Sequence, residues 1–244
     1  MMAGLQTAKK DLRRRMRNVL QSIPSESIVS QCRAKTATNK LFALTEYQHA
    51  KRIGVYLSMP SGELSTTAIV QDALSQGKEV FVPYIHNVES PQATQKISIM
   101  DMLALESMEE FTSLVPDKWG IPSLSEAQVA TRRNCLGGTG VSTREDDPSN
   151  MGVYGLDLIV MPGMAFDEGF RRLGHGKGYY DHFLTRYSKD AAQSTTTTPK
   201  MPLLVALSLR EQMLSAAEEV PVTTHDWPVD VVIVGDDRCL IRQR

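Results

Sequence analysis

Only three cysteines, Cys32, Cys135 and Cys239, occur in 244 residues, and none stands in C-x-x-C spacing. That excludes a dense disulfide framework and points to a reduced intracellular protein. The five histidines (His49, His86, His175, His182 and His225) contain no i, i+4 pair, so a zinc enzyme is not expected. No apolar run approaches the ~20 residues that span a bilayer, and none follows the N-terminal charges as a secretory signal requires. Charge of one sign is lacking too: 27 basic residues face 28 acidic ones, which predicts no nucleic-acid and no membrane partner. Any anion site must therefore be local.

Against these absences, 41% of the residues are hydrophobic, enough to bury the core of one domain spanning residues 1–244. The first 23 residues carry Lys9, Lys10, Arg13, Arg14, Arg15 and Arg17 against Asp11 alone, a composition shared with mitochondrial transit peptides. Yet Leu5, Ala8, Leu12, Met16, Val19, Leu20 and Ile23 recur at helical spacing, which predicts a structural helix that docks on a core. Pro24-Ser25 reads as the start signal of a second, mostly polar helix over Ser27 to Leu44, ending near Glu46. Strands are predicted over Ile53 to Met59, Val80 to Ile85, Ile97 to Met102, Leu156 to Met161, Leu203 to Leu209 and Val231 to Val234. Helices are expected over Thr66 to Gln76, stopped by Gly77, and after Gly178. The alternation predicts an α/β, three-layer sandwich whose mainly parallel, Rossmann-like sheet is flanked by helices. Two polar stretches, 131–152 and 188–200, read as loop insertions with little to offset the entropy of ordering them.

The densest chemical signal is Arg171-Arg172-Leu173-Gly174-His175-Gly176-Lys177-Gly178-Tyr179-Tyr180-Asp181. Glycine at every second position lets backbone N–H groups approach a ligand, which suits phosphate oxygens at a helix start, and Arg172 and Lys177 add charge. It is not a Walker A loop, since Arg171 stands where the first glycine is required and Gly178 replaces the Ser or Thr after the lysine. Glycines alone would be a flexible turn with solvated cations; the co-occurring arginine, lysine, paired tyrosines and aspartate shift the reading to a ligand loop. Asp181 is a hard oxygen donor beside this cradle, with helix-start electrostatics as its plain alternative. Asp226 precedes the last strand and could approach the same sheet edge, although such a residue alone is usually a turn former. Glu63 follows the first strand, where open α/β sheets place ligand groups. Lys9 and Arg13 share a helical face that could grip phosphates or simply be solvated. Trp119 could stack on a planar ring or close a loop.

Taken in order, Lys9-x-x-x-Arg13, Tyr56-Leu57-Ser58-Met59 with Glu63, Trp119-Gly120-Ile121-Pro122, Met161-Pro162-Gly163, the Arg172-to-Asp181 loop, Pro221-Val222 and His225-Asp226 resemble the 5-formyltetrahydrofolate cyclo-ligase family, also called methenyltetrahydrofolate synthetases. The resemblance covers most of the chain. It implies an ATP- and magnesium-dependent ligase that closes 5-formyltetrahydrofolate to 5,10-methenyltetrahydrofolate, acting as a cytoplasmic monomer, with the basic N-terminus leaving a mitochondrial form open. It further implies ATP contacts from Lys9, Arg13, Arg172, Leu173, Gly174, His175, Gly176, Lys177, Gly178, Tyr179 and Tyr180. Folate contacts are implied for Leu57, Glu63, His175, Gly176, Lys177, Gly178 and Tyr179, magnesium ligation for Asp181 and Asp226, and catalytic roles for Lys177 and His175. His175 departs from relatives that carry arginine there, exchanging a fixed charge for a titratable one. The two polar insertions have no counterpart in compact members. A non-catalytic folate- or nucleotide-binding protein is the alternative reading, and a sugar-phosphate isomerase a third that leaves the basic helix and Asp226 unexplained.

Overall fold

The computed structural model describes residues 2–23, 28–88, 96–143, 155–193 and 201–243. The first half runs α1 (Met2–Gln21), α2 (Ile28–Ala43), α3 (Thr45–His49), β1 (Arg52–Val55), α4 (Thr67–Ser75), β2 (Glu79–Val88), β3 (Ile97–Leu105), α5 (Met108–Ser113), β4 (Val115–Pro116), β5 (Pro122–Ser123) and α6 (Glu126–Val129). The second half adds β6 (Leu158–Met161), β7 (Ala165–Phe166), β8 (Arg172–Leu173), α7 (Tyr179–Gln193), β9 (Leu203–Ser208), a 3-10 turn (Arg210–Gln212), β10 (Val231–Val234) and β11 (Cys239–Ile241).

All six predicted strands enter one seven-stranded sheet of order β11-β10-β9-β6-β1-β2-β3. The pairs from β10 to β2 are parallel, and the edge strands β3 and β11 pair antiparallel. Side chains of the central strands alternate between two cores, as a two-sided buried sheet requires. Leu158, Val160, Val205 and Leu207 face α2 and α4, while Ile159, Met161, Leu204 and Ala206 face Phe183, Leu184 and Tyr187 of α7. This is the predicted three-layer arrangement. The order reverses at β1: the chain leaves β1 toward β2 on one side and later returns to β6 on the other. That switch point opens a crevice beyond the carboxyl ends of β1 and β6.

Several boundaries differ from the expectation. The run predicted to Met59 leaves the sheet at Val55, and Tyr56 to Met59 form a loop instead. Helix α2 ends at Ala43; Leu44 is extended (ψ 128°) and a short helix follows. Its predicted start at Pro24-Ser25 lies outside the described residues. The stretch 131–152 is not wholly a loop excursion, because its first half packs on β3. Cys135 N–H donates to Met102 O at 3.0 Å, Ala104 N–H to Arg133 O at 2.8 Å, and Asn134 and Cys135 are buried. Hydrogen bonds and a buried thiol offset the ordering entropy that composition alone left uncovered. Residues 188–193 of the second stretch continue α7; 144–152 and 194–200 lie outside the described residues.

Helix α1 docks as its apolar spacing predicts. Met16 and Leu20 are buried and Leu12 packs with Met164, Leu173, Leu214 and Val220, each full burial contributing roughly 1.5–3 kcal/mol. Ala8 is exposed, however, and Lys9 is buried in its place, so the docked face runs Lys9, Arg13, Met16, Leu20. The three cysteines are unpaired. Among the described residues no helix is long and apolar enough to cross a membrane.

Candidate active site

The crevice at the switch point is walled by the Glu63 loop after β1, Pro162-Gly163 after β6, the glycine-rich loop before α7 and the loop ending at Asp226. The glycine-rich loop bends through Gly176 (φ 105°) and Gly178 (φ 70°), left-handed positions that a side chain would strain. At Gly176 a Cβ would also lie 3.4 Å from the Arg13 guanidinium, so the helix and the loop are in contact there. Arg13 Nε donates to Gly174 O at 2.9 Å, fixing α1 against the loop.

Arg172 is buried beneath this loop. Its Nη1 donates to Pro162 O (3.3 Å), its Nη2 to Asp181 Oδ2 (2.9 Å), and its guanidinium lies 5.6 Å from the centre of the Tyr180 ring. Asp181 sits in the first turn of α7, where the helix dipole favours a carboxylate, and its Oδ1 accepts from Trp227 N–H at 2.9 Å. That bond brings the chain next to Asp226 onto Asp181. Asp226 is held by Lys9, whose Nζ lies 2.7 and 2.6 Å from its two oxygens, and by Thr223 through N–H (2.5 Å) and Oγ1 (2.8 Å). Burial pushes the Asp226 carboxyl up, but the bonds from Lys9 and Thr223 and the Lys9 charge outweigh it, so the group lies below the ordinary carboxylate range.

On the opposite wall, Glu63 is almost buried; its Oε2 accepts from Met59 N–H (2.9 Å) and its Oε1 lies 3.4 Å from His175 Nε2. Lys177 and His175 are exposed. Tyr179 Oη is 3.2 Å from Ser98 Oγ at the start of β3. Among the described residues, two buried donors in the site have no acceptor, Arg172 Nε and Tyr180 Oη. Burial, then the Glu63 charge, raises the Tyr180 phenol, so it stays protonated and a donor. Buried donors without partners cost about 1–3 kcal/mol each.

The fold thus gathers Lys9, Arg13, Glu63, Arg172, His175, Lys177, Tyr179, Tyr180, Asp181 and Asp226 around one crevice. Two implied contacts differ in kind: the Leu57 and Leu173 side chains are buried in core clusters, which leaves only their backbone for such a contact. Trp119 is exposed beside Lys118, whose Nζ is 4.2 Å from the ring centre, and the adjoining Gly120 abuts Pro60 of the Glu63 loop. Asp181 and Asp226 are the hard oxygen donors a divalent cation would use, and each is here paired with a cation, Asp226 with Lys9 and Asp181 with Arg172. Among the described residues no cluster of three metal-ligating side chains exists, so an ion held by these two carboxylates would need its remaining ligands from phosphates or water.

Sequence reasoning missed the residues that hold these loops together. Gln212, buried in the 3-10 turn, donates from Nε2 to Gly163 O (2.6 Å) and Gly62 O (3.3 Å) and accepts from Leu209 N–H (2.7 Å), joining both crevice walls. Asp167 accepts from Arg171 N–H, Arg171 Nε and Val220 N–H, tying the β7–β8 hairpin to the chain leading to Asp226. A lone glutamine or aspartate in a loop carries no periodicity; only Thr223-x-x-Asp226 had the spacing of a side-chain-closed turn.

The family model of the 5-formyltetrahydrofolate cyclo-ligases matches residues 5–235. The chain is 32% identical over 230 residues to a Mus musculus 5-formyltetrahydrofolate cyclo-ligase, covering 94% of this chain and 95% of that one. It is 28% identical to the Saccharomyces cerevisiae 5-formyltetrahydrofolate cyclo-ligase (93% and 95% covered) and 31% identical to a mitochondrial one of Arabidopsis thaliana (77% and 60% covered). The solved structure of Aquifex aeolicus 5,10-methenyltetrahydrofolate synthetase shares the fold, with a TM-score of 0.60 at 23% identity over 97% of this chain and 94% of that one.

Proposed function

Given that the chain belongs to the 5-formyltetrahydrofolate cyclo-ligase family, we propose that it closes 5-formyltetrahydrofolate to 5,10-methenyltetrahydrofolate with ATP and a magnesium ion, releasing ADP and phosphate. The observation that carries the reading is the convergence of four cations, Lys9, Arg13, Arg172 and Lys177, around a left-handed glycine loop at the sheet's switch point. Such a site supplies positive charge and fixed N–H groups to a polyphosphate rather than a nucleophile and base.

In the proposed reaction the formyl oxygen attacks the γ-phosphorus and the bond to ADP breaks. N10 then attacks the formyl carbon, the carbon–oxygen bond to phosphate breaks, and the N10 proton leaves with the phosphate. Lys177 and Arg172 face the charge that builds on the transferred phosphoryl group, and Arg13 and Lys9 hold the remainder of the nucleotide. Glu63 on one wall and His175 on the glycine-rich loop facing it, 3.4 Å apart, orient the folate. Asp181 and Asp226 would hold the magnesium ion, which would supply neutralisation of phosphate charge. Cytoplasmic, monomeric action is part of the proposal: α1 carries Lys9 and Arg13, so a processed form lacking it would lose both.

Purified protein mixed with 5-formyltetrahydrofolate, ATP and magnesium should show near-ultraviolet absorbance of the methenyl product and stoichiometric ADP. Lys177→Ala, at an exposed position, should keep the fold and lower kcat by about 10²–10³, the scale for removing a transition-state charge donor. Tight folate or nucleotide binding with neither product nor ADP would replace the ligase by a non-catalytic binding protein.

A further inference from the structure

The two carboxylates suited to a metal ion are each already paired with a cation suited to a phosphate. Lys9 Nζ bridges both oxygens of Asp226, and Arg172 Nη2 holds Asp181 Oδ2 at 2.9 Å. Side-chain exposures are 10% for Lys9 and 4% for Arg172, so neither cation can swing into water at no cost. A divalent ion arriving alone would have to displace these cations and leave a buried ammonium and a buried guanidinium without counter-charge, a strongly unfavourable state. A polyphosphate arriving with the ion removes that obstacle. Its oxygens take over Lys9 and Arg172, and the freed carboxylates take the ion.

Resting on the reading of this crevice as a nucleotide and divalent-cation site, we propose that the Lys9–Asp226 and Arg172–Asp181 pairs form an exchange latch, so that the cation site is completed only by a bound polyphosphate. The protein then selects the metal–nucleotide complex over either component. Because linkage is reciprocal, the ion must tighten nucleotide binding by the same factor that nucleotide tightens ion binding. Thr223 keeps Asp226 in place during the exchange, since its N–H and Oγ1 remain on Oδ2 after Lys9 departs.

The test uses the full chain, Mn²⁺ as a paramagnetic stand-in for magnesium, and ADP. Electron paramagnetic resonance of free Mn²⁺ should show little binding without ADP, and an affinity at least about tenfold higher once ADP saturates the protein, with the solution Mn–ADP equilibrium subtracted. Lys9→Met, checked for folding by its thermal transition, should gain Mn²⁺ affinity in the absence of ADP while losing ADP affinity. Asp226→Asn should remove the Mn²⁺ bound with ADP and leave metal-free ADP binding in place, which keeps the proposal testable if Lys9→Met does not fold. Equal Mn²⁺ affinity with and without ADP, with ADP shown to bind, overturns the latch but leaves the ligase reading standing. Failure to bind ADP under any condition overturns both.

Discussion

Replacing Asp101 with asparagine should destabilise the protein and remove a defined part of its acid sensitivity. Asp101 is fully buried on β3, where its Oδ2 accepts from His86 Nε2 (2.9 Å) and Ser142 N–H (2.6 Å) and its Oδ1 from Ser142 Oγ (3.0 Å) and Arg186 Nη2 (2.5 Å). Asparagine keeps one acceptor but leaves the buried Arg186 without counter-charge, a loss of about 3–5 kcal/mol for half of a buried pair, nearer the lower bound because the amide oxygen remains. Burial alone raises the Asp101 carboxyl; the bond to His86, the Arg186 charge and the Ser142 N–H outweigh it and bring it from 3.8 down to about 2. A depressed folded value stabilises the protein above the unfolded value and is lost as pH falls through the folded one. At about 1.36 kcal/mol per tenfold change in proton affinity this contributes roughly 2 kcal/mol at pH 7, and about half of it is gone by pH 3. Urea unfolding of both proteins at pH 7, 5 and 3 measures it. The window from pH 5 to 3 matters most, because histidines with ordinary values have finished titrating there. Between those two values the wild type should lose about 1 kcal/mol more than Asp101→Asn. Parallel losses in the two proteins would refute the assignment of charge to Asp101, and an unchanged stability at pH 7 would refute its role as the hub.

Two packing predictions follow from single contacts. Gly54 lies mid-strand in β1, where an added Cβ would meet Met102 Sδ at 2.7 Å and Leu156 Cδ1 at 3.2 Å. Gly54→Ala should lower stability by about 1–3 kcal/mol in denaturant unfolding, with the smaller value if Met102 repacks. Gln212→Leu strands Gly163 O and Leu209 N–H in a buried setting. It should cost about 1–3 kcal/mol for each orphaned group and raise the folate KM by loosening both crevice walls, seen as a lower thermal midpoint together with the altered KM.

The sequence by itself determined the sheet and its two faces. Runs such as Leu158–Met161 and Val231–Val234 are apolar at every position because both sides of a central parallel strand are buried. The glycine-rich loop was equally legible, since alternate glycines with Arg172 and Lys177 have few purely structural uses. The docked α1 could be read from its spacing, although the exchange of Ala8 for Lys9 on the buried face could not. Lys9 is buried there because a distant carboxylate meets it, and that partner, Asp226, lies 217 positions away. Tertiary structure alone decided which cation pairs with which carboxylate, that Gln212 and Asp167 pin the crevice loops, and that Arg133 to Ser142 belongs to the packed body through Asp101. These are long-range, single-residue hydrogen bonds. They leave no period in the chain, because their partners are set by the sheet order and not by spacing along the sequence.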